Sequence, residues 1–385
     1  MALKGWLPAV VLGLGCVGMW FVPARPQLGG VTGSPVRARV VAVDDSDLQL
    51  LGHVEYGSER LEVELLSGSK KGTRFHATNE LRAQLELDKK FKPGDVAVVI
   101  LGESDDPATA NLIARDHFRL GWALALFAGF AVLLVLFGGW TGAKALFSFV
   151  FSCFVIWKVV VPLALAGWSA SWVAFAAVCL LTAVIMYLVA GWTRKGLAAF
   201  GGAMLGVFAG LALAHGFGRL MSINGATMPF VQTLLYSGAA ELDMQDIFVG
   251  AMVLASSGAV MDLAMDIASG IEEVARHSPQ LPSRELFLSG MRIGRSVVGT
   301  MTTTLLLAYS GGYLTLLMVF ASQGTPPADF LNATLVSSEI VKTLVGSFAL
   351  VLVAPFTAAV GAIVLRPGGG IQPDGQNSHN SSYVN

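Results

Sequence analysis

The chain has 385 residues, 54% of them hydrophobic and only 13% charged, with a formal net charge of −1. An ordinary soluble domain carries about 25% charged residues, and a soluble core of this length would need far more polar surface. The near-neutral balance lacks the basic face that a nucleic-acid partner requires, so no nucleic acid is expected as a partner.

Lys4 precedes an apolar run over residues 6–22, which Pro23, Arg25 and Pro26 close. Residues 1–23 read as an N-terminal transmembrane anchor or as a cleaved signal peptide. Proline in the middle of Val22-Pro23-Ala24 makes a poor cleavage site and favours the anchor.

Residues 34–117 change texture, and about half of all charged residues lie between Arg37 and Asp116. Residues 36–43 and 61–65 alternate apolar and polar side chains, the period of a half-buried strand. Asp44-Asp45-Ser46, Ser67-Gly68-Ser69-Lys70-Lys71-Gly72 and Lys92-Pro93-Gly94-Asp95 supply turns between the apolar runs. Short strands with glycine-rich turns predict a small, soluble β-barrel or sandwich. The segment is acid-rich and poor in aromatics, which argues against single-stranded nucleic acid as its ligand.

Residues 118–366 read as a transmembrane helical bundle. Segments 121–137, 145–166, 171–190, 197–215, 247–268, 286–321 and 340–365 are apolar and mostly near the ~20 residues that cross ~30 Å of hydrocarbon. Trp140, Trp168 and Trp192 in the short connections fit an interfacial aromatic belt. With the N-terminal anchor this predicts a mainly α, polytopic bundle of about eight spans. Nine is the alternative, because Ser310-Gly311-Gly312 interrupts residues 297–321, which read as one broken helix or two short ones. Residues 367–385 are polar and glycine-rich and are expected to be a disordered tail. Lys4, Lys144 and Arg194-Lys195 alternate correctly if the N-terminus is cytoplasmic, which makes the β-domain extracytoplasmic.

Several polar residues stand out against this apolar background. Asp262 and Asp266 are spaced to share one helix face, and Arg292 and Arg295 share a face of the next helix. Charges in a membrane must be neutralised, so the four are expected to form an ion-pair network or an ion site. Thr300, Thr302, Thr303 and Thr304 follow and either bond their own helix or line a polar path. Glu339 and Lys342 open the last span as a further pair. Gly202, Gly206 and Gly210 recur every four residues, a spacing for close helix packing. The chain contains no GxxxxGK[ST], HExxH or GxSxG, and its six histidines are scattered.

Gly258-Ala259-Val260-Met261-Asp262, Ser289-Gly290-Met291-Arg292-Ile293-Gly294-Arg295, Gly299-Thr300-Met301-Thr302 and Leu307-Ala308-Tyr309 occur in this order. So do Glu339-Ile340-Val341-Lys342, Leu344-Val345-Gly346-Ser347 and Pro355-Phe356-Thr357-Ala358. This set resembles the YibE/F family of bacterial membrane proteins, and the resemblance extends over essentially the whole chain. It implies a multi-pass membrane protein and assigns no activity. The chain departs from the family pattern at Ser296, where Asp is expected, at Thr303, where Asn is expected, and at Thr334, where an acid is expected after Asn332.

The leading expectation is a permease for an ion or small polar solute in the cell membrane, not an enzyme, with no cofactor. A non-transporting scaffold whose β-domain binds a partner is the alternative, and an intramembrane enzyme comes third. Expected partners are the lipid bilayer and the solute; a homo-oligomer is left open. The residue types present leave any metal unassigned.

Overall fold

The protein is described by a computed structural model covering residues 33–102, 106–107, 109–238 and 241–366. The expected anchor (1–23) and tail (367–385) lie outside the described residues. The chain divides at Gly139 into two compact units, one ending there and one beginning at Trp140. Each unit has a separate apolar core.

The first unit contains β1 (Ser34–Asp44), β2 (Gln49–Leu51), β3 (Val54–Leu65), β4 (Arg74–Arg82), β5 (Val96–Leu101) and β6 (Asn111–His117). The alternation in the sequence is the reason: Val36, Ala38 and Val40 point inward from β1, and Phe75, Ala77 and Leu81 from β4. The sheet order is β1-β5-β6-β4-β3-β2, and β1 also pairs with β3. Five strands therefore close on themselves, with β2 added at the β3 edge. All pairings are antiparallel except β4 with β6. Of the two architectures open from sequence, this is the barrel, and its connectivity is that of an OB fold. Closure leaves no long exposed edge.

One barrel residue breaks the apolar rule. Glu59 on β3 is fully buried and accepts a 2.7 Å hydrogen bond from Asn79 Nδ2 and a 3.3 Å bond from the Phe91 N–H. Burial holds its carboxyl above the usual glutamate range, with the two hydrogen bonds opposing that rise.

The helices are α1 (Leu120–Val155), α2 (Val161–Leu165), α3 (Ala170–Ala190), α4 (Arg194–Leu220), α5 (Val231–Tyr236), α6 (Met244–His277), α7 (Ser283–Gly312), α8 (Leu314–Ser322), α9 (Pro327–Asn332) and α10 (Thr334–Val364). A π-helical turn, Ile156–Val160, joins α1 to α2. Among the described residues, five helical stretches are long and apolar enough to cross a membrane, or six if α7 and α8 count as one span bent by 65°. The expected eight spans are therefore corrected. Segments 121–137 and 145–166 belong to one helical stretch, Leu120–Leu165, interrupted only by non-helical backbone at Gly139. The glycines at 138, 139 and 142 read as a loop. Gly138 and Gly142 are helical, however, at only about 1 kcal/mol each, and Gly139 alone takes the non-helical backbone, beyond which the helix resumes. Segment 286–321 likewise supplies one bent span at most, and its break falls at Tyr313, one residue beyond Gly312.

In the second unit α10 is the central helix. Gly202, Gly206 and Gly210 of α4 lie against Thr357, Val353 and Ala349 of α10, so the two helices run antiparallel in close contact. A Cβ on Gly202 would sit 2.5 Å from Thr357 Cα. Gly290 and Gly294 of α7 meet Ala358 and Ala354 on another side of α10. Small residues let these backbones approach, as membrane helices need where lipid is as apolar as leucine. The core they enclose is lined by Ala, Val, Leu and Ile.

Candidate functional site

Polar groups gather where α6, α7 and α10 meet. A Cβ on Gly346 of α10 would lie 3.5 Å from Ser256 Cβ of α6 and 3.5 Å from the Tyr309 ring of α7. Leu305 Cδ2 of α7 is nearer still, at 3.2 Å, so the missing side chain at Gly346 lets the three helices pack closely there. Thr343, one turn before Gly346, and Thr302, two turns before Tyr309, lie on the same helix faces. The Thr302, Tyr309 and Thr343 hydroxyls are all buried without a hydrogen-bond partner. A buried hydroxyl left unpaired costs about 1–3 kcal/mol; Thr182 of α3 and Thr357 of α10 are in the same condition outside this seam, and the seam gathers three.

Glu339 and Lys342 stand at the upper end of this seam, five and eight residues into α10, or ~8 and ~12 Å of rise. Lys342 Nζ donates to Glu339 Oε1, and both side chains are largely enclosed. The ammonium also lies 5.9 Å from the centre of the Phe248 ring of α6, a cation–π contact.

The remaining predicted residues lie elsewhere. Asp262 and Asp266 share the outer surface of α6, and Arg292 and Arg295 that of α7. No ion pair joins the two sets within the chain. α6 touches α7 through Gly270 and Ile293, and Arg295, two residues beyond Ile293, leaves α7 from the opposite side. Thr300, Thr303 and Thr304 are also exposed. Each returns its hydroxyl to its own helix, at Val297 O (2.9 Å), Gly299 O (3.1 Å) and Thr300 O (3.0 Å). Of the four threonines, only Thr302 presents an unpaired hydroxyl to the interior.

A second polar cluster escaped the sequence reading. Ser169 Oγ donates to Asp246 Oδ2 at 2.8 Å, the Ser171 N–H donates to the same oxygen at 3.2 Å, and Ser171 Oγ is 3.1 Å from His215 Nε2. Ser169, His215 and Asp246 border a cavity of about 420 Å3 that Trp168, Trp172 and Arg219 also line. Asp246 closes the N-terminus of α3 from α6, so the cluster ties together the ends of α3, α4 and α6. Only spatial convergence reveals it, because its contacts join residues 44 to 77 positions apart. Among the described residues no group of three or more His, Cys, Asp or Glu could hold a metal.

A helical bundle with several membrane-length helices and an ion pair enclosed within it defines a multi-pass membrane protein. Residues 126–367, more than half of the chain, match the YibE/F-like protein family, and the chain belongs to that family. Comparison with the curated proteins and with the solved structures finds no match.

Proposed function

We propose that the protein is a permease for an ion or small polar solute, and that its path runs along the seam between α6, α7 and α10. The observation that carries this reading is the enclosed Glu339–Lys342 pair beside three buried hydroxyls without partners. A scaffold gains nothing from unpaired hydroxyls inside an apolar bundle, whereas a solute shedding water needs such groups. An intramembrane hydrolase is disfavoured, since Asp262 and Asp266 sit one turn apart on one helix and face outward. The test uses purified protein in liposomes loaded with a pH-sensitive dye, under proton, sodium and potassium gradients in turn. Light scattering follows small uncharged solutes. Flux that Glu339→Gln or Thr302→Val suppresses supports the reading. No flux across the panel, with Thr302→Cys and Thr343→Cys both inert to hydrophilic thiol reagents from either side, overturns it.

A further inference from the structure

The outer faces of α6 and α7 carry charges of both signs that the single chain leaves unmatched. Asp262 lies ten residues, ~15 Å of helix rise, from Glu272, which pairs with Lys195 at 3.0 Å near the helix end. That depth is about half of a ~30 Å hydrocarbon layer. An arginine can carry its head to the interface along a long stem, but an aspartate has no stem to do so. The face therefore needs a cover, and the cover must itself be charged. Residues 6–22 and 120–143 contain no charged residue, so neither apolar segment can match the face. A second copy of the chain brings both signs.

Register makes the match specific. A two-fold axis along the membrane normal keeps every residue at its own depth, so only groups at one level can meet across it. The contacts Gly270–Ile293 and Gly294–Ile267 fix how α6 runs past α7. They place Asp266 level with Arg295 to within about one residue, ~1.5 Å. In one chain the two cannot meet, because Arg295 leaves α7 on the side away from α6. Across a two-fold axis they can, twice over. We propose that two copies pair through α6 and α7, Asp266 of each facing Arg295 of the other, with Asp262 one turn away to share the guanidinium fork. This goes beyond the permease reading, since the face lies outside the seam, and its test reads association rather than flux.

The test uses the full chain with two different affinity tags, co-expressed and extracted directly into nanodiscs with native lipid. Capture through one tag should recover the other for the wild type. Asp266→Arg alone, or Arg295→Asp alone, sets like charges against each other across the axis and should lower self-capture by at least about tenfold. The two variants co-expressed, one on each tag, restore opposite charges at both contacts, and capture should return to within about twofold of wild type. If a single variant fails to accumulate, recovery on co-expression still supports pairing. Three results would overturn the proposal: no cross-capture of wild type, undiminished self-capture of either variant, or no recovery of the mixed pair.

Discussion

Lys342 Nζ donates to the Glu339 carboxylate one helical turn away, with side-chain exposures of 23% and 21%. A pair this enclosed is weak evidence for stability but strong evidence against casual loss of one member. Breaking a desolvated pair strands the survivor, at up to about 3–5 kcal/mol, whereas replacing both members can be nearly neutral. Glu339→Gln and Lys342→Met should each lower the thermal midpoint of the protein in detergent. The double variant should regain most of the loss and still be deficient in flux. Additive losses would mean that the two act separately.

The three buried hydroxyls make a sharper separation. Thr302→Val and Thr343→Val keep shape and delete an unpaired hydroxyl, so stability should hold or rise, by up to about 1–3 kcal/mol. Flux should fall in both. Thr303→Val loses only a bond to its own helix and should change stability by less than about 0.5 kcal/mol and leave flux intact. Equal flux defects at Thr302 and Thr303 would move the path to the outer face of α7.

Helix packing offers a test independent of function. Gly202→Ala would place a methyl 2.5 Å from Thr357 Cα, forcing α4 from α10 at about 1–3 kcal/mol or more. Gly216→Ala, on the same helix, meets nothing within 4 Å and should be neutral or slightly stabilising. Matching midpoints in a detergent melt would show that α4 and α10 do not pack this closely.

The barrel should respond to pH through Glu59. Its folded-state pKa is raised by burial, so the stabilising form is the protonated one. That contribution is fully present below the unfolded glutamate value and is lost as pH rises through the folded one. Hydrogen exchange of β3 and β4 amides in the full chain, corrected for intrinsic rates, should show greater protection near pH 5 than near pH 8. Glu59→Gln should flatten that dependence; an unchanged slope would assign it to other groups.

Composition and periodicity alone determined the class of this protein. A charge content near half the soluble norm excludes a soluble fold, and period-2 alternation at Val36-Arg37-Ala38-Arg39-Val40 marks strands whatever surrounds them. Hydrophobic burial acts on each segment locally, so such patterns survive without knowledge of partners. The four-residue spacing of Gly202, Gly206 and Gly210 was legible for the same reason, although their partner helix was not.

Only the tertiary structure decided which polar residues belong together. Spacing put Asp262 with Asp266 and Arg292 with Arg295, but it carries no information about which side of α7 faces α6. Rotation about the helix axis, set by Gly270 against Ile293, separated the acids from the arginines. The same rotation divided Thr302 from Thr303, adjacent residues about 100° apart on the helix, turning one hydroxyl inward and leaving the other outside. Ser171, His215 and Asp246 converge from three helices that short-range pattern cannot relate. Helix interiors are read from sequence because their hydrogen bonds are local; a site between helices is made by packing, which is not.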